Sequence, residues 1–360
     1  MADLPREIAI AFDTCGCPNR CRHCWLGGLP GGGIGEEAVR EIAGQFRSFV
    51  RAGEKAPWFR KVWVSSWLRE PDFSDDYREV YQRDAELSDG TPWRYELLSI
   101  WRIVRDAGYL AWAKSVGPDT CQITFFGGEE TTDWFCGRKG AFADNVGATE
   151  RLLDAGMRPR WQLFANAKGI DEFGTLAGLL GRMRVRERVE ALGGEFDVFV
   201  HLWGVCGAAM GIEHLRPTDE DMRRIPGGLL EASRGHHGRD DWWRTEAELC
   251  REILGRDDWY GYGLEPGHMA WFFVAADRSV YFNAYGVEPW WCLGNLAREP
   301  LGAILRRFGE DDTPGLRAIR TIPAQRLVRE LGDADGRKVH SSADDLLRLY
   351  LSRRLGRGKP

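Results

Sequence analysis

The chain has 360 residues and a formal net charge of −5, a length that suggests roughly two domains around a large core. The acidic balance argues against a surface built to gather nucleic-acid phosphates. No run of about 18 apolar residues exists to cross a membrane, and no basic segment followed by an apolar one opens the chain, so the expected location is the cytoplasm.

Taken in chain order, the first strand candidate is Glu7–Phe12. A cysteine cluster follows it directly, with Cys15, Cys17, Cys21 and Cys24 inside ten residues. The Gly-rich stretch at 27–35 comes next. It contains no lysine and follows the cluster rather than a strand, so it reads as a linker in preference to a phosphate loop. Val39, Ile42, Ala43, Phe46 and Val50 then recur at helical spacing behind Glu36 and Glu37. Further strand candidates lie at 61–67, 95–100, 120–126, 161–165 and 196–203, with helices at 74–88, 141–156 and 170–192. This alternation predicts βα units around a parallel sheet. Past residue 204 the rhythm changes to helices with one hairpin, WFFVAADRSVYFNA, turning at Ala276, Asp277 and Arg278. The expected division is 1–205 and 206–360.

Nine cysteines without an export signal point to metal or redox chemistry. Cys121, Cys136, Cys206, Cys250 and Cys292 are scattered singly, which suggests packing. The clustered set is different. Cys17, Cys21 and Cys24 form Cys-x3-Cys-x2-Cys, three soft thiolates able to wrap one metal centre. Three ligands for four irons leave one iron open to the amino and carboxylate groups of a small molecule. A zinc site completed by Cys15 is the alternative, although four ligands in ten residues lack the usual two separated pairs.

The spacing and place of Cys17, Cys21 and Cys24, just after a first strand, resemble the signature of the radical S-adenosylmethionine (SAM) superfamily. That resemblance implies an α/β fold, a partial (β/α)6 TIM barrel, with a 4Fe-4S cluster and SAM as cofactors. It also implies reductive cleavage of SAM to a 5'-deoxyadenosyl radical that abstracts hydrogen from substrate. A flavodoxin or ferredoxin would supply the electron. By the same resemblance His23, before the third cysteine, lies near the adenine. Gly127, Gly128 and Glu129 imitate the family's Gly-Gly-Glu motif but sit about 100 residues after Cys24. The segment KVWVSSWLREP, carrying Ser65, Ser66 and Glu70, has the family's spacing, and Glu70 is the expected partner of the SAM ammonium. Glycines at the serine positions would allow closer backbone approach. Thr124 and Arg138, in a stretch resembling the fourth-strand region of the SPASM subgroup, are expected at the SAM carboxylate, a group that favours arginine. An ordinary surface ion pair is the competing reading of Arg138, and Asp133 is expected to fix the loop. Asn166 is assigned either to the ribose hydroxyls or to a loop cap. These residues fall at strand C-termini, where parallel barrels place their active groups.

The run DRSVYFNAYGVEPWWCLGN resembles the end of a SPASM or twitch domain, so a smaller C-terminal SPASM-like α+β extension is expected. Asn283 stands where such a hairpin normally ends in cysteine, and an auxiliary iron-sulfur cluster on Cys206, Cys250 and Cys292 is not favoured. Cys206 and Cys292 are instead candidate hydrogen donors to a product radical. Sixteen tryptophans either fill a wide core or wall a cavity that excludes water. Because the first strand begins near residue 7, no N-terminal peptide-recognition domain is expected. A small polar metabolite, a sugar, nucleoside or amino acid derivative in natural-product assembly, is therefore the expected substrate. Modification of a ribosomal peptide is the alternative.

Overall fold

A computed structural model describes residues 4–14, 16–27, 29, 33–66, 69–92, 97–262, 269–282 and 286–356. Strand β1 (Glu7–Phe12) is followed by helix α1 (Glu36–Arg47), β2 (Lys61–Ser65), α2 (Tyr77–Leu87), α3 (Ile100–Arg105) and α4 (Tyr109–Ser115). Then come β3 (Thr120–Phe125), α5 (Glu129–Cys136), α6 (Ala141–Asp154), β4 (Arg158–Phe164), α7 (Phe173–Arg182), α8 (Val185–Ala191) and β5 (Val198–His201). Two short strands, β6 (Arg244–Thr245) and β10 (Val339–His340), bracket the meander β7 (Met269–Val274), β8 (Ser279–Phe282) and β9 (Cys292–Asn295). No described helix is long and apolar enough to cross a membrane.

The strands form a five-stranded sheet in the order β2-β1-β7-β8-β9, a three-stranded sheet β3-β4-β5, and the pair β10-β6. β1 runs parallel to both its neighbours, which is why its sequence is an apolar run rather than an alternation. Its two faces are still distinct. Ile8, Ile10 and Phe12 join α1 in one core with Val39, Ile42 and Phe46. On the opposite face Ala9 is in register with Trp63 and Trp271, and Ala11 with Ser65 and Phe273. Small side chains on the central strand leave room for the large ones beside them.

In the second sheet Cys121, Ile123, Phe125, Trp161, Leu163 and Val200 face a separate core built with α6. The other face is polar. There the Thr124 hydroxyl donates to Gln162 Oε1 at 2.8 Å, Gln122 Nε2 donates to the same oxygen at 3.1 Å, and Arg160 donates to Gln122 at 2.9 Å.

Three expectations change. The described residues form a mixed α/β fold without a closed barrel: the two larger sheets share no strand pair. Of the expected third strand at 95–100, residues 95 and 96 lie outside the described set and Ile100 opens α3, capped by the Ser99 hydroxyl, which accepts from Arg102 N at 3.1 Å. The expected helix at 170–192 is broken between α7 and α8, where Arg184 takes φ +52°. The hairpin is confirmed as β7 and β8, and β7 joins β1's own sheet. Asn283 lies outside the described residues, and a SPASM extension is not established.

A buried ion pair ties the C-terminal helix Ala343–Gly356 to this frame. Arg216, wholly buried, donates to Asp345 at 3.1 Å and to the carbonyls of Trp203 and Val339 at 2.7 and 3.0 Å. Burial, with the neighbouring His237 adding to it, pushes His201 at the end of β5 down to about 4. A lowered histidine stays neutral in the folded protein while the unfolded chain binds a proton below about pH 6.5. Unfolded protein then holds more protons, so stability falls with pH across that interval down to about 4. Urea midpoints measured at pH 7 and pH 5 are expected to drop, and His201→Phe to reduce the drop.

Candidate active site

The cysteine loop lies over the C-terminal ends of the parallel strands, clamped from both sides. On one side Arg20 N donates to Cys136 O at 2.9 Å and Arg22 N to Phe135 O at 2.8 Å, pinning the loop to the end of α5. On the other, Ala208 N donates to Cys24 O at 3.0 Å. Two glycines make this possible. Gly137 (φ +62°) would place a Cβ 2.6 Å from Arg20 O, and Gly207 (φ +56°) one 2.3 Å from Trp25 O. Both combine a left-handed backbone with contact too close for any side chain.

Between these clamps the three thiols come together. Burial first, then the Glu70 carboxylate, pushes the Cys17 thiol up to about 12. Contact with Cys136, then burial, raises Cys21, and burial raises Cys24. Thiols raised in this way are neutral in the metal-free chain, so binding a metal there would have to release their protons. Donors already point at the sulfurs: Asn19 N lies 3.4 Å from Cys17 Sγ, and Leu26 and Gly27 offer backbone N–H groups to Cys24. Such bonds stabilise cluster thiolates. Among the described residues no three His, Cys, Asp or Glu side chains converge on a single ion. A four-iron cluster makes a different demand, because each thiolate binds a separate iron. The donor set fits that group.

The expected cofactor residues divide into two kinds. Glu70 and Arg138 are at the thiols. Glu70 N donates to Gly16 O at 3.3 Å, and its carboxylate accepts from Ser99 Oγ at 3.0 Å and Trp101 N at 3.1 Å. Burial raises this carboxyl, and its charge is felt by Cys17 and Cys21. Arg138 donates to Asn19 Oδ1 at 2.6 Å, pairs with Asp144 at 2.7 Å, and acts on both Glu70 and Cys21. It is thus not a solvent-facing ion pair. Asp133 fixes the turn before α6 by accepting from Gly140 N and Phe142 N at 2.6 and 2.9 Å. His23 packs against Phe126 and Phe164 at ring distances of 4.7 and 4.9 Å, with Nδ1 buried and without a partner. Ser65 Oγ is likewise buried and unpaired. Orphaned polar atoms of this kind cost stability unless a ligand meets them, and both lie at strand ends beside the loop.

Other candidates are committed to structure. Ser66 Oγ donates to Asp84 at 3.0 Å and accepts from Arg83 at 2.6 Å. The Thr124 hydroxyl is engaged by Gln162. Asn166 is a loop cap: its amide donates to the carbonyls of Phe126 and Phe164 at 2.7 and 2.8 Å while Oδ1 accepts from Gly169 N at 2.7 Å. Both amide protons are used and the residue is wholly buried, so the structure places Asn166 as a cap within the turn. Gly127 and Gly128 lead into α5, where Gly128 N donates to Glu172 at 2.6 Å.

Cys206 stands by the second clamp, close enough to Cys24 and Glu288 for their charges to raise it after burial, to about 12. Cys292 lies in register with Tyr281, which lies opposite Phe273, whose ring is 5.5 Å from Trp25. A row of side chains thus crosses the sheet from the cluster loop to Cys292. Cys250 is elsewhere, against the Tyr350 hydroxyl at 3.5 Å.

No family model matches the chain, and no curated protein matches its sequence. Solved structures do. Native anSMEcpe with bound AdoMet superposes with a TM-score of 0.51 at 12% identity, covering 98% of each chain. This chain has the anSMEcpe fold. The same protein with bound AdoMet and Kp18Cys peptide gives the same TM-score, identity and coverage. Streptococcus suis SuiB bound to precursor peptide SuiA gives 0.48 at 12% identity, over 93% of this chain and 75% of that one.

Proposed function

We propose that this chain is a radical SAM enzyme that modifies a peptide, with its cluster on Cys17, Cys21 and Cys24. The observation that carries the reading is the clamped loop, which gathers three partly buried thiols, Glu70 and Arg138 at one end of the parallel strands. Sharing a fold with an AdoMet-binding protein supports it. The peptide held by anSMEcpe in a structure of equal likeness favours a peptide over the small metabolite expected from sequence. In this reading residues 1–205 bind cluster and AdoMet, and residues 206–360 supply the second clamp and the wall bearing Cys206 and Cys292.

When bound, the cluster would reduce AdoMet with an electron from a flavodoxin or ferredoxin and so supply a hydrogen-abstracting radical. The chain's residues hold and shield. Glu70 offers a carboxylate to the AdoMet ammonium and Arg138 a guanidinium to its carboxylate. His23 presents a ring edge toward the adenine, and Ser65 an unused hydroxyl. Trp25 and Phe273 exclude water from the reacting carbon. Cys206 or Cys292 returns a hydrogen atom where the reaction calls for one.

Anaerobic reconstitution followed by iron and sulfide analysis is the first test, and zinc without sulfide would refute the proposal. With AdoMet and a reductant, 5'-deoxyadenosine should form. Deuterium carried into it from labelled peptides, but not from labelled sugars or nucleosides, separates the two substrate classes. Loss of a charge-assisted bond costs about 1.5–3 kcal/mol. Arg138→Gln is therefore expected to weaken AdoMet binding roughly 10- to 100-fold in equilibrium dialysis with cluster content unchanged.

A further inference from the structure

Four cations gather beside the first clamp without a carboxylate partner. Arg20 and Arg22 flank Cys21, and their backbone bonds to Cys136 and Phe135 fix both at the C-terminal end of α5. The Arg22 guanidinium bonds the Trp134 carbonyl and lies 4.3 Å over the Trp134 ring. Lys168, from the turn after β4, brings its ammonium to 5.7 Å from the same ring. Lys139 lines an open cleft of about 520 Å³ together with Arg22 and Trp134. Arg20, Lys139 and Lys168 are exposed, and none of the four forms an ion pair among the described residues. Arg138, beside them, is by contrast held by Asp144. Of the carboxylates at the cleft, Asp133 is engaged by the turn before α6, and Glu129 and Glu130 sit back on the first turn of α5.

A chain with a net charge of −5 repels an acidic partner at long range, so a local gathering of cations is where such a partner can land. Tryptophan flanked by arginine is also the composition of protein contact surfaces more than of ordinary solvated faces. The wall bearing Cys206 and Cys292 stands at the second clamp, which leaves this face clear of the substrate side. α5 turns Thr131, Thr132, Phe135 and Cys136 inward and gives Asp133 and Trp134 to the cleft. The next step rests on the reading of Cys21 as an iron ligand, since Arg20 and Arg22 then each adjoin a ligand of the cluster. We propose that Arg20, Arg22, Lys139 and Lys168, set around Trp134, form the docking surface for a small acidic electron carrier of the flavodoxin or ferredoxin type. One electron passes per encounter: the carrier is oxidised by one electron, the cluster is reduced by one, and no bond is made or broken. The cations steer the approach, and the tryptophan supplies the apolar centre of the contact.

Lys139→Glu combined with Lys168→Glu alters this surface without touching a residue of the proposed cluster or AdoMet site. A control, Lys55→Glu with Arg60→Glu, makes the same change in net charge at two exposed positions before β2, away from the strand end that carries the loop. Full-length proteins are reconstituted anaerobically, assayed for iron and sulfide, and followed by biolayer interferometry on immobilised flavodoxin and on immobilised ferredoxin. At about 0.1 M salt the Lys139 and Lys168 variant is expected to associate with the carrier that the parent binds roughly 10- to 100-fold more slowly. The difference should vanish near 1 M salt, where the Debye length shrinks to about 3 Å, and the control should follow the parent throughout. With excess dithionite, 5'-deoxyadenosine formation should equal the parent's, because a small reductant needs no docking surface. Should this variant fold poorly, Lys139→Gln with Lys168→Gln removes the same two charges and should slow association in the same direction. Equal slowing in variant and control, an equal loss with dithionite, or a parent that binds neither carrier overturns this inference and leaves the proposed function standing. Absence of iron and sulfide from the parent protein overturns both.

Discussion

Alanine at any one of Cys17, Cys21 or Cys24 is expected to abolish iron and sulfide retention and to bring 5'-deoxyadenosine formation to background. The effect should be total because the loop has nothing in reserve. Cys136 and Cys206 approach Cys21 and Cys24 from the two clamps, but each belongs to backbone that is itself pinned to the loop, and neither can move into the vacated position without breaking its clamp. The readouts are metal analysis and chromatography of the nucleoside product. Circular dichroism should stay unchanged, because the clamps are backbone bonds that do not involve the sulfurs. An alanine variant that still cleaves AdoMet would remove that cysteine from the ligand set.

The largest expected loss of stability lies in the buried ion pair. Asp345→Ala leaves Arg216 charged, wholly buried and held by the carbonyls of Trp203 and Val339 and the Trp203 ring, with no counter-charge bonded to it. Removing one member of such a pair typically costs about 3–5 kcal/mol, since the other charge remains out of water. A double replacement, Arg216→Met with Asp345→Leu, should cost much less than the single change, because no charge is stranded. Chemical unfolding of the three proteins decides the matter. A single variant within about 1 kcal/mol of the parent would show that water reaches the guanidinium.

Much of this was legible in the sequence where local chemistry decides the outcome. The apolar run of β1 and the alternations of β3 and β4 placed strands within a few residues. The acidic start of α1 and its apolar spacing placed that helix. The third strand failed at its end because Ile100 is as good a strand former as a helix residue, and the deciding signal was Ser99, a helix cap read as part of a strand. Among candidate residues, Glu70 and Arg138 were proposed from spacing and resemblance, whereas the capping bonds of Asn166 depend on carbonyls of Phe126 and Phe164 that only the folded turn brings to it. Cys136 carried no local mark at all. Its place at the clamp comes from a backbone bond to Arg20 across more than a hundred residues, which periodicity and spacing do not register.

The clamps also set a timetable. Arg22 donates its side-chain hydrogen bond to the Trp134 carbonyl, 112 residues along the chain, and Cys24 is held by the backbone of Ala208. During synthesis the cysteines emerge early, but the surfaces that shape their loop arrive only after most of the parallel strands have been made. Until then the thiols sit on an unconstrained segment, open to stray soft metals and oxidants. Delivery of the proposed cluster would therefore have to be a late event, acting on a nearly finished chain, and the protein would depend on a cell able to keep those sulfurs reduced in the interval.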